Sequence, residues 1–218
     1  MSVLCWNCGA DCAARFCPAC KALQPPSHDF FAALDSPRRL AIDGKELEKR
    51  FYALSRQLHP DLFSRKPIRE QEYALEASAV LNDAFRTLKD PVARALYVLK
   101  QAGFEIAEQG TKDVPPELLE EVFELNMMLE ELKGGDSEAR GQLESARGNF
   151  TKMQSEVDHQ LESLFVKHDA AEPGSGTAKQ ALQEIRGLLN RRRYIDNLLR
   201  DVDRALNPGV AEQVEDRL

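Results

Sequence analysis

The sequence predicts an all-α protein in which a small cysteine-rich module precedes a helical hairpin and an antiparallel three-helix bundle. Three observations lead to this prediction. From about residue 28 onward, apolar residues recur at the three- and four-residue spacing of helices, and no useful stretch alternates with period two. All five cysteines lie within the first twenty residues. At 218 residues and 43% apolar content, the chain is long enough for two domains with cores.

Net charge and hydropathy disfavour two classes of partner, nucleic acids and membranes. The formal net charge of −7 disfavours a general nucleic-acid binder, so we expect protein partners. The first residues carry no basic segment followed by an apolar run, and nowhere do about eighteen apolar residues follow one another. We therefore expect no membrane association and a cytoplasmic location. The alternative is the mitochondrial matrix, if a targeting segment has been removed.

The cysteines predict a metal-binding module over residues 1–24. Cys5 and Cys8 form one CxxC pair, and Cys17 and Cys20 form another. Each pair can direct two thiolates at one ion, and four thiolates complete a tetrahedral zinc site; iron is the alternative metal. Disulfides are disfavoured in a reducing compartment, and a dithiol redox pair lacks a neighbouring βαβ pattern.

The fifth cysteine, Cys12, lies between the two pairs. We expect it to be a free, reactive thiol on the connecting loop rather than a replacement ligand. A segment of about twenty residues buries too little surface to fold alone, so the metal should supply much of its folding free energy.

A helical hairpin is predicted within residues 28–103. Asp43 is a suitable N-cap for a helix whose apolar stripe is Leu47, Phe51, Leu54 and Leu58. An outward basic face lies on the same helix: Lys45, Lys49 and Arg56. Pro60 has no backbone N–H and disfavours helical geometry at the preceding residue, so the helix should end near His59. His59 and Asp61 are then displayed in a loop.

A second long helix should return antiparallel to the first, and a shorter one should run from Pro91 to a stop at Gly103. General acid–base chemistry at His59 and Asp61 would need a nucleophile or a substrate pocket. No neighbouring Ser, Cys or carboxylate pattern provides one, so we do not expect an enzyme.

The order of short helix, long helix, His59-Pro60-Asp61, long helix and short helix resembles a J-domain. The resemblance implies that this tripeptide and the basic face of Lys45, Lys49 and Arg56 engage an ATP-loaded chaperone of the DnaK type and trigger its ATP hydrolysis. A co-chaperone is then expected.

Three further helical patterns predict a bundle over residues 114–207. The first begins near Pro116, the second carries an apolar stripe from Leu143 to Leu164, and the third follows a capping box of Thr177 and Gln180. A second apolar stripe on the first helix consists of Leu119, Phe123 and Met127. It is either structural, as a widened core face or a contact with the hairpin, or an exposed partner site, and the sequence favours neither.

The combination of a double CxxC, a J-domain-like hairpin and a three-helix bundle resembles the HscB family of iron–sulfur cluster co-chaperones. The resemblance implies an IscU-type scaffold as partner of the bundle and an HscA-type chaperone as partner of the hairpin. It places the scaffold contact at Leu119, Phe123, Glu124 and Tyr194. Glu120 and Met127 depart from the family pattern. A general J-domain co-chaperone and a metal-sensing interaction protein are the alternatives.

Overall fold

The computed structural model describes residues 4–104, 116–134 and 137–207. Over these residues it is all-helical and contains no strand, as the sequence predicts. The chain divides into two compact units, Met1–Val98 and Leu99–Leu218. The segment between the predicted hairpin and the predicted bundle lies outside the described residues except for Phe104.

The first unit contains the cysteine module followed by a helical hairpin. Its helices are α1 (Phe30–Ala33), α2 (Gly44–Leu58), α3 (Ile68–Lys89) and α4 (Pro91–Gln101), with a 3₁₀ turn over Pro60–Phe63 between α2 and α3. The last three residues of α4 lie past the boundary of this unit. Asp43 caps α2 by accepting hydrogen bonds from the backbone N–H groups of Lys45 and Glu46, as predicted.

The two long helices of the hairpin run antiparallel. Glu48 pairs with Lys89, the Phe51 ring stacks on Phe85, and the Ser78 hydroxyl donates to the Leu58 carbonyl. Residue numbers rise along α2 as they fall along α3, which fixes the direction. We call α2, the 3₁₀ turn and α3 the HPD hairpin.

The hairpin core is formed by the predicted stripe of α2 and one face of α3. The buried side chains are Leu47, Leu54, Leu58, Ala74, Ala77, Leu81, Ala84 and Leu88. Tyr97 of α4 stacks on Phe30 at a centroid distance of 4.5 Å, and its hydroxyl accepts a hydrogen bond from the Phe30 N–H. Glu70 also lies on the buried face of α3, although a carboxylate there needs a polar partner.

The second unit is a bundle of α5 (Leu119–Lys133), α6 (Ser137–Ala170) and α7 (Gly176–Leu206), preceded by a 3₁₀ turn over Pro116–Leu118. The ion pairs between the two longest helices show that they run antiparallel: Arg147–Asp203, Asp158–Arg192 and Lys167–Glu184. Leu125, Phe150, Val157, Leu161, Ile185, Ile195 and Val202 lie in the core. The predicted antiparallel bundle is therefore present.

One local prediction about the bundle is wrong. The N-cap of α7 is Ser175, whose hydroxyl accepts from the Ala178 N–H, and Thr177 already lies inside the helix. Gly176 can adopt helical geometry, so the earlier serine takes the cap position. Among the described residues, no helix is both long and apolar enough to cross a membrane.

Candidate functional site

The two CxxC pairs form two equivalent knuckles. In the first, the Cys5 N–H donates to the Ala10 carbonyl and the Gly9 N–H donates to the Cys5 carbonyl. In the second knuckle, twelve residues later, the Cys17 N–H donates to the Ala22 carbonyl and the Lys21 N–H donates to the Cys17 carbonyl. Gly9 and Lys21 hold the matching left-handed positions, with φ of 73° and 62°. Glycine adopts this conformation without strain, and lysine occupies the corresponding position of the second knuckle.

The four cysteine sulfurs have a spacing that suits one metal ion. The Sγ atoms of Cys5, Cys8, Cys17 and Cys20 all lie within 4.8 Å of one another. The Cys5–Cys20 and Cys8–Cys17 separations are 3.6 and 3.7 Å. In a tetrahedral site with Zn–S bonds of about 2.3 Å, ligand sulfurs lie about 3.8 Å apart. The observed separations therefore fit such a site without rearrangement.

Thiolate formation is unequal among these cysteines. Burial raises the pKa of the Cys5 thiol, but backbone hydrogen bonds with Cys8 and Asn7 and side-chain hydrogen bonds from its neighbours bring this pKa down to about 6. Backbone hydrogen bonds with Cys20 and Ala19 also lower the pKa of Cys17, against the effect of burial. At Cys8 a backbone hydrogen bond with Ala10 lowers the pKa, but the Cys20 thiol and burial raise it to about 12. Hydrogen bonding among the four thiols therefore favours the thiolate at Cys5 over that at Cys8.

Cys12 is shielded, contrary to the expectation of a freely reactive thiol. Its side chain is only 5% exposed, and it donates a hydrogen bond to the Ala14 carbonyl at 3.3 Å. Burial raises the pKa of the Cys12 thiol, which lowers the thiolate fraction further. The loop folds this thiol against Cys5 and Cys17, and it is not one of the four cysteines whose sulfurs converge.

His59, Pro60 and Asp61 form the exposed turn of the hairpin. α2 ends at Leu58 and Pro60 begins the 3₁₀ turn, as the sequence predicts. The Asp61 carboxylate is 87% exposed, and His59 Nδ1 accepts a hydrogen bond from the Asp61 N–H at 3.3 Å. Buried Phe63 anchors the turn to the hairpin.

The basic face of α2 leads to this turn. Lys45, Lys49 and Arg56 are all exposed. Within the described residues none of the three forms an ion pair, so the positive charge is available to a partner. Tyr52, 52% exposed, lies between Lys49 and Arg56 on the same face. Tyr52 was not among the residues predicted for this face, although its spacing of three and four residues from Lys49 and Arg56 is visible in the sequence.

The second apolar stripe of α5 is exposed. Leu119, Phe123 and Met127 are 55%, 66% and 49% exposed, and Glu124 beside them is exposed too. We call Leu119, Phe123 and Met127 the α5 patch. These side chains are not part of the bundle core, so the possibility of a widened core face is excluded. Tyr194 lies on α7, half-buried, with the Arg193 guanidinium 5.7 Å from its ring centroid.

Comparisons with known proteins agree over both units. Residues 114–203 match a family model described as the HSCB C-terminal oligomerisation domain. The chain is 31% identical over 201 residues to the iron–sulfur cluster co-chaperone protein HscB of Mus musculus, covering 89% of this chain and 79% of that protein. The Homo sapiens protein of the same name is also 31% identical, with 78% of its length covered. The crystal structure of human co-chaperone protein HscB superimposes with a TM-score of 0.70 at 29% identity, covering 92% of this chain and 97% of that one.

Proposed function

Because the chain belongs to the HscB family of iron–sulfur cluster co-chaperones, we propose that its HPD hairpin stimulates ATP hydrolysis by a DnaK/HscA-type chaperone while its bundle binds an IscU-type cluster scaffold. The observation that carries the first part is the exposed carboxylate of Asp61 at the end of an unpaired basic helix face. The relatives are named co-chaperones, and we assign no catalytic residue to this chain.

Two physical effects support the chaperone contact. Lys45, Lys49 and Arg56 present like charges along one face, which speeds the encounter with an acidic surface. Asp61 offers a nearly fully exposed carboxylate, able to accept charge-assisted hydrogen bonds from a cationic side chain of the chaperone. Pro60 fixes the turn so that His59 and Asp61 are presented in a defined conformation.

The test of the chaperone contact is Asp61→Asn. This change keeps the size of the side chain and removes its charge, so the helical fold should persist while stimulation of the chaperone ATPase falls to the basal rate. Single-turnover ATP hydrolysis by a DnaK/HscA-type chaperone is the measurement. Asp83→Asn is the matched control, because Asp83 is an exposed carboxylate of the same unit and pairs with Arg86 one helical turn away. Full stimulation by Asp61→Asn would contradict the proposal.

The scaffold contact is assigned to the α5 patch, with Glu124 beside it and Tyr194 on α7. Three large apolar side chains exposed in succession on one helix are unusual for a surface without a partner. Met127 extends this stripe and Glu120 lies beside it, so the two departures from the family pattern both fall at the proposed interface.

We assign zinc to the four-cysteine site, with iron as the alternative metal, because both accept a tetrahedral set of thiolates. Thiolate ligands require a reducing compartment, so we propose the cytoplasm, or the mitochondrial matrix for a processed chain. The functional boundaries we propose are residues 1–24 for the metal module, 28–103 for the J-domain and 114–207 for the scaffold-binding bundle.

A further inference from the structure

The cysteine module packs on the first turn of α3, next to the exposed turn of the hairpin. The contact is made by Leu23, which is only 1% exposed and uses both of its backbone polar groups. Its N–H donates to the Glu70 carboxylate at 3.2 Å, and its carbonyl accepts from the Trp6 indole N–H at 2.7 Å. This explains how Glu70 can be buried on the inner face of α3, with 6% exposure.

Aromatic and cationic side chains surround this contact. The Trp6 ring meets Tyr73 edge-on at a centroid distance of 6.1 Å, and the Arg69 guanidinium lies 5.1 Å from the Trp6 ring centroid. A second contact lies at the end of α1, where Arg15 donates to the Ala33 carbonyl and pairs with Asp35. The module is therefore attached to the rest of the first unit at two places, the start of α3 and the end of α1.

Leu23 is connected directly to the metal site. It follows Ala22, whose carbonyl accepts the hydrogen bond from Cys17 that closes the second knuckle. The next residue, Gln24, is buried, and its side-chain amide donates to Cys5 Sγ at 3.3 Å. Both neighbours of Leu23 are thus held by cysteines whose sulfurs converge. Loss of the ion from a segment this small would release Leu23 as well.

Hydrogen bonds also connect the first turn of α3 with the loop that contains Asp61. The Gln71 side-chain amide donates to the Lys66 carbonyl at 2.8 Å, and the Ser64 hydroxyl donates to the Asp61 carbonyl at 3.0 Å. Pro67, the N-cap residue of α3, forms no side-chain capping hydrogen bond. This helix start lacks a local cap, which leaves it dependent on contacts such as that between Glu70 and Leu23.

We propose that the metal-loaded cysteine module is a brace for the HPD hairpin, and that Leu23 and Glu70 couple metal binding to the order of the first turn of α3 and the adjoining His59-Pro60-Asp61 turn. Glu70 is a positioning residue in this proposal, because it acts through the helix and touches neither the metal nor the chaperone. The consequence for chaperone stimulation rests on the proposed function, whereas the coupling itself does not.

Hydrogen exchange on the full chain tests the coupling without a chaperone. Removing the metal with a chelator should speed amide exchange in residues 70–75 by about tenfold, the effect expected from losing one or two net hydrogen bonds. Amides in the middle of α6 should not respond. If the cysteine module loses protection while residues 70–75 keep theirs, there is no brace.

Substitution of Glu70 provides the second measurement. In Glu70→Ala the amides of residues 70–75 should exchange fast already in the metal-loaded protein, and chelation should add little. Coupling is reciprocal, so the affinity for Zn²⁺, measured by competition with a chromophoric chelator, should fall by the same factor of about ten. Glu70→Gln retains a carbonyl acceptor for the Leu23 N–H. It should therefore keep most of the wild-type exchange protection and most of the wild-type Zn²⁺ affinity.

Glu72→Ala is the matched control, because Glu72 is an exposed carboxylate of the same helix start. It should keep the wild-type Zn²⁺ affinity and the wild-type response to chelation. If Glu70→Ala fails to fold, Trp6→Phe tests the same contact, since it removes the indole donor to Leu23 and keeps an aromatic ring. An unchanged Zn²⁺ affinity in the folded variant would overturn the coupling.

The functional consequence is measured separately. Chelation should reduce stimulation of the chaperone ATPase severalfold in the wild-type chain and much less in Glu70→Ala, whose loaded form should already stimulate weakly. If Asp61→Asn abolishes stimulation but chelation leaves it unchanged, the brace does not act on the turn, although the proposed function stands. If Asp61→Asn stimulates normally, the proposed function fails, and the exchange and affinity results still decide the coupling.

Discussion

At the scale of the residue, burial of Cys12 lowers the reactivity of its thiol. Because it is buried and donates to the Ala14 carbonyl, we expect it to resist alkylation in native, metal-loaded protein. Treatment with iodoacetamide, followed by mass spectrometry, should show little modification at any of the five cysteines. After chelation all five should be modified, since the module loses its fold.

The control for this experiment is Cys12→Ser, in which the loaded protein should remain unmodified and retain its metal. Metal content by elemental analysis should be about one zinc per chain in both proteins. Rapid labelling of Cys12 in the loaded wild-type chain would show that the loop opens frequently. Loss of metal from Cys12→Ser would show that Cys12 serves the site after all.

At the scale of the helix, the basic face of α2 should act mainly on the rate of association. Lys49→Glu reverses one exposed charge on the face that leads to Asp61, so binding to the chaperone should slow, and more strongly at low salt. Stopped-flow association at two ionic strengths is the measurement. Lys152→Glu, an equal reversal on an exposed position of α6, should have little effect. Equal effects of the two substitutions would indicate only a response to net charge.

The α5 patch should contribute to binding without contributing to the core. Replacing Leu119 and Phe123 with alanine, together with Tyr194→Ala, should lower the affinity for an IscU-type scaffold by about 100-fold or more, since each 1.4 kcal/mol is about tenfold. The two exposed α5 positions should each change stability by no more than about 0.5 kcal/mol, and half-buried Tyr194 should account for any larger loss. Isothermal titration and thermal unfolding measure the two quantities.

Val166→Ala is the control for the patch, because Val166 is an apolar residue of α6 that is 62% exposed. It should leave scaffold affinity unchanged. A triple variant that stays folded and binds the scaffold normally would place the contact elsewhere on the bundle.

Much of the helical organisation could be predicted from sequence, because helix periodicity and the effects of Pro60 and Asp43 are local. Most of the metal site could likewise be predicted from the spacing of the cysteines, because each knuckle closes within six residues. The packing of Leu23 on Glu70 could not be predicted, because these residues are 47 positions apart and no local pattern relates them. The one available signal was an acidic residue on the same helix face as Ala74, Ala77 and Leu81.

At the scale of the whole molecule, the proposed chaperone and scaffold contacts lie on different compact units. His59, Pro60 and Asp61 belong to the first, whereas the α5 patch and Tyr194 belong to the second. Sites that share no contacts or partners usually contribute independently to the free energy. The two activities should therefore be separable by substitution within the full chain.

We predict that each of two variants loses one activity and keeps the other. Asp61→Asn should bind the scaffold with wild-type affinity and fail to stimulate the chaperone. The triple alanine variant should stimulate the chaperone normally when no scaffold is present, and adding scaffold should change its stimulation less than that of the wild-type chain. Steady-state ATPase assays with and without saturating scaffold measure both effects. A general J-domain co-chaperone would instead show no response to the scaffold in any variant, and loss of both activities in either variant would mean that the two units are energetically coupled.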